Sequence, residues 1–234
     1  MMIVRVGKEI TEMKTRRKLL KDLMILLLSS VTALLVSCRG PGCERLRVSY
    51  FDVSRPLPVM SCGLATEHDL VRFLLETNPQ AHVSEVSAIA QHYIEESLIE
   101  GVNHDIAFCQ MCVETNFLRF TGDVDRRQNN FAGIGATGGV PGDSFESVQI
   151  GIRAQIQHLK AYASRRRLRL RLVDPRFGKV RRGSARHVED LSGRWATDPD
   201  YGAKIREKLR SLTKWIYEAD DLAEEPHNKR NLAG

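Results

Sequence analysis

The residues best suited to chemistry lie between Asp105 and Gly139, DIAFCQMCVETNFLRFTGDVDRRQNNFAGIGATGG, and their centre is Glu114. Ile106, Cys109, Val113 and Phe117 recur at helical spacing and mark one buried face, with Glu114 at its edge and Phe117 and Phe120 close behind. A carboxyl group so placed loses part of its water, its pKa rises, and it becomes able to deliver a proton. Glu residues at helix ends more commonly serve as solvated surface charges, so the neighbours matter. After a polar stretch comes Asn129-Asn130-Phe131-Ala132-Gly133-Ile134-Gly135, whose glycines let backbone or ligand approach closely. The amides of Asn129 and Asn130 offer donors and acceptors matched to sugar hydroxyls and acetamides, and Phe131 would form a wall or a plug beneath the loop. Cleaving a glycosidic bond needs a proton for the leaving oxygen and stabilisation of an oxocarbenium-like centre on the other face. Glu114 can supply the first. For the second, Asp143 and Glu146 are the nearest carboxylates, with Asp123 and Asp125 behind them. An N-acetylated sugar could instead use its own 2-acetamido oxygen, in which case no protein nucleophile is required.

These groups need a scaffold, and the chain reads as mainly helical. Thr66 caps a helix running to about Glu76 and stopped by Asn78-Pro79, with Asp69 three residues after the cap. Ser84 is expected to cap a second, apolar at Val86, Ile89, Ala90, Tyr93, Ile94 and Leu98 and ended by Gly101. The third carries Glu114. Residues 120–144, rich in glycine, predict a small irregular lobe or short hairpin. Helix returns from about Phe145 to Ala163 and again from about Pro199 to Ala219, the latter apolar at Ile205, Leu209, Leu212, Trp215 and Ile216. Arg167 to Leu172 alternates Arg and Leu, which fits either an edge strand or an exposed helical continuation. Trp195 reads as a packing residue, although an aromatic platform for sugar is also open to it.

QMCVETNFLRF (Gln110 to Phe120) followed by QNNFAGIGATGG (Gln128 to Gly139) resembles the glucosaminidase family of peptidoglycan hydrolases. RAQIQHLKAYAS (Arg153 to Ser164), LVDPRF (Leu172 to Phe177) and GRWATDPDYGAKI (Gly193 to Ile205) extend the similarity over roughly residues 65–216. The resemblance implies a lysozyme-like fold, a helical domain with one small irregular or β lobe and a cleft between them. It implies an endo-β-N-acetylglucosaminidase acting on peptidoglycan glycan strands, with Glu114 as acid and Tyr201, in the ATDPDY context, beside the reacting sugar. Asn129, Asn130, Phe131, Gly133 and Ile134 would then contact substrate. No metal or cofactor is implied, and a monomer is expected. The alternatives are a lytic transglycosylase that leaves anhydro ends and a wall-binding protein without turnover.

The formal charge of +6 suggests nucleic acid only until it is located. Residues 1–37 carry seven Lys/Arg against three Asp/Glu, and the rest of the chain has a net charge of only +2. No nucleic-acid partner is expected. The basic flank Lys14 to Lys21 and the apolar run Leu23 to Val36, ending Leu-Val-Ser-Cys38, read as an export signal with a lipobox. Cys38 would take the lipid and hold the domain on a membrane at the bacterial cell envelope. Residues 38–65, with scattered Pro and Gly, read as a tether, 66–219 as the catalytic domain and 220–234 as a flexible tail. A Cys43 to Cys62 bridge is open to an exported protein. Cys109 and Cys112 are spaced C-x-x-C but lie within an apolar helix and read as small buried residues. The run Arg165 to Arg186 holds ten Lys/Arg and one acid, Asp174, and reads as a solvated loop or a contact for anionic lipid or acidic peptide.

Overall fold

In the computed structural model, residues 55–224 are described, with side chains to 216. The export signal, Cys38, Cys43 and residues 225–234 lie outside them, and residues 220–224, expected as flexible tail, continue the last helix. Among the described residues, five α-helices and one two-stranded sheet make a mainly helical domain with a small β lobe, the architecture expected of a lysozyme-like chain.

Helix α1 (Glu67–Thr77) opens with a capping box: the Thr66 side chain accepts from the Asp69 amide, and the Asp69 carboxylate accepts from the Thr66 amide at 2.8 Å. Helix α2 (Val83–Glu100) begins one residue before the expected Ser84 cap. The His82 carbonyl accepts from the amides of Glu85 and Val86, so no side-chain cap is used. Gly101, left-handed at φ 75°, ends it. Helix α3 (His104–Glu114) starts at Asn103, whose side-chain oxygen takes the amides of Asp105 and Ile106. Every residue of α3 from Asp105 to Cys112 is buried, which makes it the central helix, between α2 and the last helix α5 (Tyr201–Glu224). Helix α4 (Val148–Ala163) packs on α2 and starts three residues later than expected, because Ser147 supplies the cap. In the lobe, β1 (Ala136–Thr137) pairs antiparallel with β2 (Val140–Pro141). Gly138 and Gly139 both have positive φ between them, as a tight two-residue hairpin turn requires.

Two expectations are corrected. Residues 55–65 are not tether: Leu57 and Val59 are fully buried, the Val59 amide donates to the Arg186 carbonyl, and the amides of Leu64 and Ala65 bind the Asp105 carboxylate. Arg167 to Leu172 forms neither strand nor helix. Its backbone is held by side chains instead, the amides of Arg169 and Leu170 on Glu100 and the Arg171 carbonyl on Gln157. Cys109 and Cys112 are buried, and burial pushes both thiols well above their ordinary range, so they stay protonated.

Candidate active site

Glu114 is the last residue of α3, and the helix stops there in an unusual way. Asn116, Phe117 and Leu118 all take left-handed backbone conformations, with φ of 49°, 55° and 62°. Such a run of non-glycine residues is costly and persists only where the surroundings hold it. The Thr115 hydroxyl accepts from the Leu118 amide, Asn78 donates to the Phe117 carbonyl at 2.8 Å, and Arg126 donates to the Leu118 carbonyl at 2.6 Å. The chain thereby turns sharply off the helix and leaves the Glu114 side chain at its end.

The two oxygens of Glu114 differ. Oε1 accepts from the Tyr201 hydroxyl and from Trp195 Nε1, the latter at 3.1 Å. Oε2 faces Gly133: a Cβ on that residue, which has φ 60°, would lie 3.1 Å from it. Glycine is what lets the loop come this close. Burial lifts the Glu114 carboxyl above its ordinary range, and the hydrogen bonds from Tyr201 and Trp195 act in the opposite sense without cancelling it. Burial, reinforced by the neighbouring Glu114, also pushes the Tyr201 phenol well up, so its proton stays in place for donation.

Behind Tyr201 runs a chain of buried polar side chains with one direction. Gln155 Nε2 donates to the Ala107 carbonyl at 3.0 Å, a group that can only accept, which turns Gln155 Oε1 toward the Tyr93 hydroxyl. The same Nε2 donates to Gln110 Oε1 at 2.9 Å, so Gln110 Nε2 must face Tyr201 and donates to its oxygen at 2.9 Å. With its oxygen occupied as acceptor, Tyr201 points its hydrogen at Glu114. Trp195 is fixed from the other side. It packs against both the main core and the small cluster of Ala132, Ile134 and Ala154. The His158 ring meets it edge-on at 4.9 Å, and His158 Nδ1 is 2.7 Å from the buried Asp174 carboxylate.

The glucosaminidase family model, described as mannosyl-glycoprotein endo-beta-N-acetylglucosaminidase, matches residues 90–214, from within α2 to within α5. The chain belongs to the glucosaminidase family. Membership supports glycoside hydrolase activity in general. An uncharacterized protein of Borreliella burgdorferi is 47% identical over 158 residues, which is 67% of this chain and 78% of that protein. No solved structure matches.

In this glucosaminidase domain the structure brings Glu114, Tyr201 and Gly133 together. The other sequence candidates have different work. Asn130 donates to the carbonyls of Ile134 and Asp143 and accepts from the Ile134 amide, and Asn129 donates to the Phe145 carbonyl at 3.0 Å. The buried Asn130 amide closes the loop on itself, and half-buried Asn129 ties the loop to the start of the next segment. Phe131 and Ile134 are buried, Phe131 against the Phe120 ring, which makes it the plug beneath the loop. Among the carboxylates, Asp143 pairs with Arg176 at 2.8 Å, and Asp123 accepts from the Gly139 amide at 3.1 Å. Asp125 caps a short 3₁₀ turn and binds Arg127, which holds its carboxyl at about 2, far too acidic for a base near neutral pH. Glu146 is exposed. Sequence reasoning missed the Gln110 and Gln155 pair and underrated Trp195. All three lie inside the stretches that resemble the family, which was the available signal.

Proposed function

We propose that the protein is a peptidoglycan hydrolase that cuts N-acetylglucosaminyl β-1,4 bonds, with Glu114 as general acid. One observation carries this reading: a half-buried carboxyl group with both protein donors on Oε1 and its other oxygen against the glycine loop. Two donors on Oε1 leave the proton of the neutral acid to Oε2, where a glycosidic oxygen would receive it. The nearby lobe carboxylates Asp143, Asp123 and Asp125 are committed to Arg176, the Gly139 amide and Arg127. This favours attack by the sugar's own 2-acetamido oxygen over a protein base, with Glu146 as the carboxylate that would serve otherwise. No metal or cofactor is called for. The basic flank, apolar run and Cys38 of the sequence support export and a lipid anchor at the cell envelope.

Mass spectrometry of digested sacculi tests the reaction. Reducing N-acetylglucosamine ends are expected, and anhydro ends would assign a lytic transglycosylase instead. Glu114→Gln is expected to lower turnover by about 10²- to 10⁴-fold, the usual weight of a positioned acid, while sacculus binding persists. An intact protein that binds sacculi and releases nothing would leave a binding function only.

A further inference from the structure

Outside residues 165–186, most described cations near the surface have carboxylate partners: Arg126 with Glu85, Arg153 with Glu96, Lys204 with Asp198 and Lys214 with Glu76, and within that run Arg176 pairs with Asp143. Arg176 apart, the cations of the run from 165 to 186 are different. Its one acid, Asp174, is buried against His158 and offers nothing to the surface. The structure lays residues 182–185 of this run directly against the end of α4 and the residues after it. Arg182 donates to the carbonyls of Ser164 and Arg166 and lies over the Phe177 ring at 4.9 Å, while the amides of Gly183 and Ala185 bind the carbonyls of Ala161 and Tyr162. Beside this contact is an open concavity of about 480 Å³, lined by Arg165, Lys179, Arg181, Arg182, Arg194 and Tyr162, with no Asp or Glu among its lining residues. Tyr162 donates to the Arg194 carbonyl at 2.8 Å, and its ring lies 5.7 Å from Trp195, the residue that holds Glu114. One aromatic layer thus separates the basic pocket from the candidate acid.

A hollow with several cations and no counter-charge among the described residues is suited to a carboxylate-bearing guest, because charge-assisted hydrogen bonds are strong and guanidinium forks match carboxylates. We propose that this pocket takes the carboxylates of the peptides carried by the glycan, so that the enzyme engages a peptide-substituted strand next to the bond it cuts. The proposal rests on the peptidoglycan reading of the active site. A peptide is favoured over an anionic membrane because Tyr162, which lines the pocket, lies against Trp195, the residue that holds Glu114, so a guest here sits next to the bond being cut.

The Lys179→Glu, Arg181→Glu double variant, altered at two exposed positions, tests it against three probes: intact sacculi, glycan strands stripped of peptide by an amidase, and phosphatidylglycerol vesicles. On sacculi the variant's KM is expected to rise about tenfold or more, since one lost charge-assisted contact is worth about tenfold and two cations are replaced by anions, with kcat unchanged. Added salt should narrow the gap, and stripped strands should be cut by both proteins alike. Equal losses on both glycans, or no loss on sacculi, would overturn the proposal. So would lost vesicle binding with unchanged KM on sacculi, which assigns the pocket to lipid. Wild-type protein inert on both glycans would instead overturn the hydrolase reading itself.

Discussion

The unequal treatment of the two Glu114 oxygens sets how the protein should respond to pH. Burial raises the carboxyl's pKa, and the donors on Oε1 lower it by favouring the charged form. Removing one donor lets burial prevail further. Tyr201→Phe is therefore expected to move the basic limb of the kcat/KM profile to higher pH, since more of the acid stays protonated. Its plateau should fall by about 10- to 100-fold as a hydrogen bond to a charged group is lost. Gln110→Met, similar in volume and two steps from the substrate, should move the limb in the same direction by less, lower kcat and leave KM unchanged. That separates positioning through Tyr201 from simple packing, which would not shift a pH limb. Profiles of the two variants beside the wild type check both. Glu114 could be picked out from its place on an apolar helix, but Gln110 could not. Its importance depends on partners at 155 and 201, contacts that no local spacing reveals.

At the scale of elements, the helices and their ends were legible where the determining contacts are local. The Thr66 and Asp69 capping box lies within four residues, and Gly101 stops α2 through its own backbone. The segment 167–172 was not legible, because the groups that hold it are Glu100 on α2 and Gln157 on α4. Glu100 is buried, with Lys160 Nζ at 2.6 Å and the amides of Arg169 and Leu170 on its carboxylate. Burial pushes its carboxyl up, but Lys160 and those amides outweigh burial and hold it below the ordinary range. The folded pKa is thus lower than the unfolded one, so the unfolded chain binds the proton more readily. The stabilisation is complete above the unfolded carboxyl range and is lost as pH falls through the folded pKa. Glu100→Gln removes this dependence and leaves Lys160 buried with its charge uncompensated, at a cost of about 3–5 kcal/mol. Urea unfolding at neutral and acidic pH should show the variant well below wild type at neutral pH and the difference shrinking in acid.

Across the whole molecule, the strap at 55–65 joins parts of the sequence that the pattern of prolines and glycines had set apart. A short irregular segment has no period, so its composition reports an absence of helix and says nothing of whether its side chains are covered. Leu57 and Val59 prove to be fully buried, the Leu57 carbonyl accepts from the Val188 amide, and the Val59 carbonyl accepts from the Asn103 amide at the cap of α3. Asp105, in the first turn of α3, holds Leu64 and Ala65. The strap therefore fastens one end of the helix whose other end presents Glu114, and ties it to the loop leading toward Trp195. Each of the two buried side chains contributes roughly 1.5–3 kcal/mol by leaving water, a large part of a typical domain's net stability of about 5–15 kcal/mol. In the full-length chain, Leu57→Ala with Val59→Ala should lower Tm by roughly 10 °C or more, given about 2–4 °C per kcal/mol for a chain of this size. Calorimetry measures the shift, and lytic activity should fail at a correspondingly lower temperature while its pH profile stays in place. An unchanged Tm would return these residues to the role of a tether.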